Sequence, residues 1–327
     1  SPYAYNADQT YAYPPLLAFL VSWLHPLDPG VAGALWMLVS IAAVGWALWL
    51  LGLRDWRCYA LCIAFLFTRS AIDLGTVGPL LLLAVAAAWH WRDRVVEPAV
   101  AVGAGIALKL FLWPVAVWLA LIRRTRTAVA SVVLALAFIV LPWAVIGFAG
   151  IGHYPGLLRH LSDDEASSSY SVIALAVRAH LPQPVGVVLS IIAGLALLAA
   201  AAWIARDMRR LQRDRDVAVL TLALAAALAA SPIVWVHYFL LLLVPLALTR
   251  PRLSWLWFVP FAYASLGEAA WPAGDARKLG IALAATLVLL GAPLFDVLRS
   301  RQPSRTSAAT ARARRLPLRP RSETRPG

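Results

Sequence analysis

The 327-residue chain is 61% hydrophobic and 14% charged, with a mean hydropathy of +0.75. Those values exclude a soluble globular domain and fit an all-α, polytopic helical membrane protein. The net charge of +13 does not point to nucleic acid, because nine arginines fall in Arg299–Arg325 and most of the others occupy short turns between apolar runs. That distribution is the positive-inside pattern. Residues 299–327 read as a disordered basic tail that can touch anionic membrane lipid. The two cysteines, Cys58 and Cys62, sit one helical turn apart in an apolar run and read as small buried hydrophobes.

The chain opens on Ser1-Pro2-Tyr3-Ala4-Tyr5, a polar aromatic start that looks like mid-protein sequence. Residues 1–30 are expected to form an outer loop. Within it, Tyr11-Ala12-Tyr13-Pro14-Pro15 begins a short apolar stretch to Leu27, read as an interfacial helix started by proline. Asp28-Pro29-Gly30 then turns the chain into a first span. Apolar runs predict spans near 31–53, 58–73, 77–91, 95–109, 111–122, 127–148, 185–205, 217–231, 233–249, 253–267 and 279–298. Several are shorter than the roughly 20 residues of a full crossing, and 95–109 with 111–122 can form one broken or re-entrant hairpin. The expectation is therefore about 9–11 transmembrane or re-entrant helices in a single domain, residues 1–298, with a large outer loop at 149–184. The basic turns Arg54–Arg57, Arg92–Arg94, Arg123–Arg126, Arg206–Arg215, Arg250–Arg252 and Arg299 onward are placed in the cytoplasm.

With the sides so assigned, the polar groups in or beside apolar runs fall at the outer helix ends: Asp73, Thr76, Lys109, Ser231, His237 and Glu268. A cavity opening outward explains that sorting. Lys109 is one of two lysines against 27 arginines and has apolar neighbours throughout. A buried ammonium needs an anion, and a phosphate is a natural one; snorkelling to the interface is the alternative. His237 stands in Ser231-Pro232-Ile233-Val234-Trp235-Val236-His237-Tyr238, beside a proline break that must line a wet cavity or be buried in protein. It can serve as acid or base, as a donor to phosphate or sugar, or as a core histidine bonded to a carbonyl. Trp235 offers an aromatic face to a sugar or prenyl chain. Asp73 can bind sugar, cap the helix starting near Val77 or pair with Arg69. The loop Gly152–Arg178 carries His153, His160, Asp163, Asp164 and Glu165; a solvated acidic turn is favoured there over a divalent-metal site. Tyr170, in Ser169-Tyr170-Ser171, marks a segment folding back over the cavity mouth. No glycine-rich phosphate loop or dinucleotide fingerprint is present, so an activated sugar delivered outside the membrane would be lipid-linked.

Three stretches resemble glycosyltransferase family 87, a family of polytopic C-type transferases whose best-known members are α-mannosyltransferases using polyprenyl-phosphate mannose. They are Tyr11-Ala12-Tyr13-Pro14-Pro15-Leu16, Ala107-Leu108-Lys109-Leu110 with Pro114, and Ser231-Pro232-Ile233-Val234-Trp235-Val236-His237. Two departures are visible: Gly75-Thr76 and Gly78 stand where the family often has Gly-Gln and Asn, and Pro114 follows the lysine at a longer distance. The resemblance implies an inverting transfer of a hexose, mannose by analogy, to a lipid-linked or envelope glycan acceptor on the outer face of a bacterial plasma membrane. It implies no cofactor beyond the lipid-linked co-substrate, no divalent metal and no nucleic-acid partner. Lys109 and His237 would bind the donor phosphate, with Tyr13, Asp73, Thr76, Tyr170, Ser231, Trp235 and Glu268 lining the cavity. The family's catalytic aspartate precedes its Tyr-Pro-Pro element. Asp8, the aspartate that precedes it here, has the wrong spacing, so the base is expected upstream of Ser1. The rival readings are a transporter or flippase of lipid-linked sugars, which would show internal symmetry, a non-catalytic scaffold, and a catalytically incomplete fragment.

Overall fold

The computed structural model describes residues 12–165, 168–207, 211–266 and 276–299. Among these residues every regular element is a helix. The interfacial stretch is a short helix, α1 (Leu16–Val21), followed by a 3₁₀ turn, Ser22–Leu24. Asp28 caps the next helix, α2 (Pro29–Leu50), accepting from the Gly30 and Val31 amides at 2.8 and 3.4 Å, with Pro29 in the first turn. The expected span 58–73 is broken into α3 (Trp56–Ala64) and α4 (Leu66–Asp73), because Phe65 takes an extended conformation between them. Next come α5 (Gly78–His90) and α6 (Val96–Leu108), then a 3₁₀ turn, Leu110–Leu112, leading into α7 (Pro114–Leu121), and α8 (Thr125–Val145).

The large loop at 149–184 holds two helices, α9 (Tyr154–Asp164) and α10 (Val172–Arg178). They are followed by α11 (Gln183–Ala205) and α12 (Gln212–Ala230). A 3₁₀ run, Val236–Leu242, merges into α13 (Leu243–Thr249). A 3₁₀ helix, Trp255–Leu266, precedes α14 (Ala276–Arg299). Glu268, Asp8, Tyr11, most of the Gly267–Lys278 connection and the tail beyond Arg299 lie outside the described residues.

Among the described residues four helices are long and apolar enough to cross a membrane alone: α2, α8, α11 and Ala276–Val297 of α14. The pair α4 and α5 qualifies together as a fifth, bent by 116°. The long helices present exposed apolar faces, including Leu38 and Trp46 on α2, Val133 and Leu136 on α8, Ile192 and Leu195 on α11, and Leu287 on α14. Such faces suit lipid contact. The interior is different: α12 is buried continuously from Asp216 to Leu228, and the 236–249 segment from Val236 to Leu248. A helix apolar on all sides belongs in the middle of a bundle. Lipid is as apolar as leucine, so close packing holds these helices together. A Cβ on Gly103 of α6 would stand 2.9 Å from Leu134 Cβ and 3.0 Å from Ser131 O of α8, which measures how closely those helices approach.

The bundle has two chemically distinct ends. Imidazole Nδ1 of His90 lies 3.1 Å from Leu50 O, joining the ends of α5 and α2. Arg92 reaches buried Asp216 at 3.8 Å, and Trp118 donates to the Asp216 carbonyl. Arg124 pairs with Asp93, and Arg250 with Asp296. Asp55 accepts from Arg57 Nε and Nη2 at 3.0 and 2.9 Å and from the Leu253 amide at 2.9 Å, tying the α2–α3 turn to the 250–253 turn. The arginine turns at 54–57, 92–94, 123–126 and 250–252 thus gather at one end. The other end holds Thr76, which caps the α4–α5 bend by bonding Ala71 O and Gly78 N, both at 3.3 Å.

Two outcomes follow from this packing. Gly103→Val should lower the thermal midpoint in detergent through an overpacking cost of about 1–3 kcal/mol, whereas Gly33→Ala, with nothing within 4 Å, should not. The Arg57 guanidinium, aided by the Leu253 amide, holds the Asp55 carboxyl well below the usual carboxylate range. Its contribution is complete above about pH 4 and fades as pH falls below that. Asp55→Asn should therefore lose less stability than the parent between about pH 6 and about pH 3, measured by thermal melts.

Candidate functional site

The site begins where α6 stops. Lys109 caps α6 in an extended conformation, φ −155° and ψ 108°, its amide making the last helical bond to Gly105 O at 3.0 Å. Pro114 starts α7 five residues on, so the chain between them can form no more than a 3₁₀ turn. This aims the Lys109 ammonium at three rings. Nζ lies 3.8 Å from the Tyr238 ring centre, 5.3 Å from Trp235 and 5.5 Å from Tyr13. Each such face is worth about 0.5–2 kcal/mol to a cation. Among the described residues no carboxylate pairs with Lys109.

The rings come from distant parts of the chain. Tyr13 arrives from the turn before α1. Trp235 and Tyr238 arrive from the segment after α12, where Ser231 ends the helix and its hydroxyl donates to Ile233 O at 2.6 Å. Pro232 prevents helix from resuming, and Trp235 is extended at φ −91° and ψ 163°. Backbone unwound at this depth is tolerated where it lines a cavity or is covered by protein, and here it does the first. Tyr238 also stacks on Phe111, ring centres 5.0 Å apart.

A cavity of about 440 Å³ opens over this cage. Its wall includes Tyr13, Lys109, Phe111, Ser231, Trp235 and Tyr238. Helix α9 lies across it, contributing Tyr154, Leu158 and Leu161, and the Tyr154 hydroxyl donates to Ala12 O at 3.3 Å. The acidic end of α9 points elsewhere: Asp163 accepts from Gln183 at 2.8 Å, and Glu165 from Ser168. Among the described residues no three His, Cys, Asp or Glu side chains cluster as metal ligands.

The remaining sequence candidates are placed as follows. His237 is buried, its Nε2 has no hydrogen-bond partner among the described residues, and it does not line the main cavity. It stands behind Lys109 across a void of about 10 Å³ shared with Gly78, Phe111 and Tyr238. Thr76 is buried at the adjoining bend. Asp73 is exposed at the end of α4, where it neither caps α5 nor pairs with Arg69. Tyr170 is buried, and its amide donates to Val234 O at 2.8 Å, so this segment packs behind the Ser-Pro stretch and not over the mouth of the main cavity, where α9 lies instead. Tyr170 lines a second, mainly apolar cavity of about 190 Å³ with Val234, Phe239 and residues of α11, α12 and α14. Tyr238, Phe111 and the α9 residues were not singled out by the sequence. Tyr238 adjoins His237 in the motif, and Tyr154-Pro155 is a helix-start signal within the loop, but neither indicates a cation or a cavity.

The sequence matches the profile of glycosyltransferase family 87 over residues 11–232, from the Tyr-Pro-Pro element to the Ser-Pro break. The chain belongs to this family. It is 29% identical over 299 residues to a polyprenol-phosphate-mannose-dependent alpha-(1-2)-phosphatidylinositol pentamannoside mannosyltransferase of Mycobacterium tuberculosis. That alignment covers 84% of this chain and 64% of the relative, so the chain spans under two thirds of the relative's length. No solved structure matches it significantly. The family membership agrees with the resemblance carried by the Tyr-Pro-Pro, lysine and Ser-Pro elements.

An ammonium held on rings without a counter-anion is under-stabilised when the cavity is empty. Lys109→Met keeps the stem and removes the charge. The variant should melt a few degrees higher than the parent in ligand-free detergent, by about 1 kcal/mol or more. An unchanged or lower midpoint would show that the rings alone satisfy the charge.

Proposed function

We propose that this chain forms the donor side of a membrane hexosyltransferase, which moves a sugar from a polyprenyl-phosphate carrier to a lipid-linked or envelope glycan acceptor. The observation that carries the reading is the Lys109 ammonium, half-buried in an open, largely apolar cavity with aromatic faces as its neighbours. Such a cavity accepts one anionic group together with hydrophobic mass, which describes a lipid phosphate better than a free nucleotide. Family membership and the mannosyltransferase relative support mannose as the sugar.

In this mechanism the donor phosphate takes Lys109 Nζ from the ring faces. The ammonium then stabilises the charge that builds on phosphate as the anomeric bond breaks. The rings of Trp235 and Tyr13, vacated by the cation, offer faces to the sugar or the first prenyl units. Apolar residues Leu108, Leu110, Leu158 and Leu161 exclude water that would otherwise hydrolyse the donor. His237, behind Lys109, orients the ammonium and Tyr238 or donates to phosphate once the void is filled. An inverting transfer also needs a base to deprotonate the acceptor, and no carboxylate lines the cavity among its described residues. Chemistry of this kind needs no cofactor or divalent metal beyond the lipid-linked donor. On this reading the arginine-rich end faces the cytoplasm and the cavity opens outward at a bacterial plasma membrane, which the positive-inside distribution of arginine in the sequence supports.

The test is sugar transfer from radiolabelled polyprenyl-phosphate mannose in membranes containing the protein. Lys109→Ala should lower kcat/KM about 100-fold or more, and His237→Ala should lower it while His237→Gln retains part. Tyr238→Phe, which keeps the ring, should stay close to the parent. Full transfer by the Lys109→Ala and His237→Ala proteins would refute the assignment. Translocation of the donor without sugar transfer would favour the flippase reading.

A further inference from the structure

The arginine-rich end contains a second feature with an organised geometry. An open cavity of about 470 Å³ lies between the α2–α3 turn and the 250–253 turn, lined by Gly52, Arg54, Asp55, Arg57, Pro251 and Arg252. Three guanidinium groups face one carboxylate there, and that carboxylate is already committed. Asp55 accepts from one edge of the Arg57 guanidinium, Nε and Nη2, and from the Leu253 amide, so its carboxylate is fully engaged. Arg54 spends one nitrogen on the carbonyls of Trp49 and Leu53, both at 2.8 Å, and rests on the Trp49 ring at 5.0 Å. The Tyr59 hydroxyl also lies against Arg54, and among the described residues no carboxylate pairs with Arg54. Arg252 is exposed and has no carboxylate partner among the described residues, whereas its neighbour Arg250 is held by Asp296. The cavity therefore carries two uncompensated charges on a rigid frame.

Its depth identifies what it would meet. Trp49, Trp56 and Trp255 flank the two turns and are 50%, 75% and 65% exposed. Exposed tryptophans at the ends of lipid-facing helices mark the level of lipid headgroups. A cationic cavity at that level, between helix ends, has the character of a headgroup site. It is also separate from the Lys109 cavity: α5 runs from Gly78, beside that cavity, to His90, which is bonded to Leu50 at the arginine end.

We propose that Arg54 and Arg252, framed by the Asp55–Arg57 clasp, bind the phosphate of an anionic phospholipid headgroup. Arg54 and Arg252 would each donate to phosphate oxygens, while the lipid chains lie along the exposed apolar side of α2. The site is independent of sugar transfer and would hold the α2–α3 turn against the 250–253 turn in the bilayer.

The experiment is native mass spectrometry of the full chain released from nanodiscs of phosphatidylglycerol, or of phosphatidylcholine, with thermal melts on the same samples. The parent should retain phosphatidylglycerol in preference to phosphatidylcholine and melt higher with it. R252Q, which removes a side chain with no described partner, should weaken retention about fivefold, and R54Q/R252Q more than that. R252K should restore part of the loss. Because R54Q also removes bonds to Trp49 and Leu53, R252Q decides the matter if the double variant misfolds. Equal retention of the two lipids, or undiminished phosphatidylglycerol on R252Q, would overturn the proposal. Displacement of the lipid by millimolar inorganic phosphate would also overturn it, making a free anion the ligand.

Discussion

The Lys109 ammonium must be kept at the edge of an apolar bundle with no carboxylate beside it among the described residues, and much of the architecture around it serves that constraint. Helix α6 ends early, α12 unwinds at Ser231, and both breaks deliver side chains to the same spot. Aromatic faces suit this task because they attract a cation without neutralising it. A carboxylate in their place would hold Lys109 more tightly and compete with any incoming anion. The rings leave the charge available to a ligand.

The rest of the fold separates this end from the other by the length of a helix. At the arginine end, ion pairs and carbonyl contacts link consecutive turns: Asp55 to Leu253, Asp93 to Arg124, Asp216 to Arg92, Asp296 to Arg250. These pairs are partly wet and individually modest, yet together they fix how the helices emerge. At the cavity end, proline breaks and a buried threonine cap do the positioning. The two ends thus use different chemistry: charged pairs at one, aromatic and apolar walls around a single cation at the other.

The helix boundaries were legible because apolar runs and basic turns alternate, and observed ends fall within a few residues of most expected ones, but among the described residues four helices and one bent pair, not 9–11, are long and apolar enough to cross a membrane. Pro29, Pro114 and Pro232 each marked a real start or break. The break at Phe65 was not legible, since Phe65-Leu66 carries no proline or glycine signal and the bend is imposed by tertiary packing. The polar sorting drew Lys109 and Ser231 to one cavity, and the Tyr-Pro-Pro and Ser-Pro elements of the resemblance added Tyr13 and Trp235. It could not show that Asp73 points away, because an exposed and a cavity-facing aspartate look alike in sequence. Nor could it show that α9 covers the mouth, since that contact joins residues some 140 positions apart. Asp216 was hidden beside an arginine-rich turn, where its burial depends on Trp118 of α7 and Arg92 of the α5–α6 turn.

The extended stretch after α12 has side chains on both faces. Ile233 and Trp235 look into the larger cavity, while Val234 between them looks into the smaller one, where Tyr170 holds its carbonyl. One strand of backbone is therefore the partition between two compartments. A molecule that shifts this partition from either side changes the shape of both. Thermodynamic linkage makes the effect reciprocal: whatever factor a guest in one compartment imposes on binding in the other is returned in equal measure.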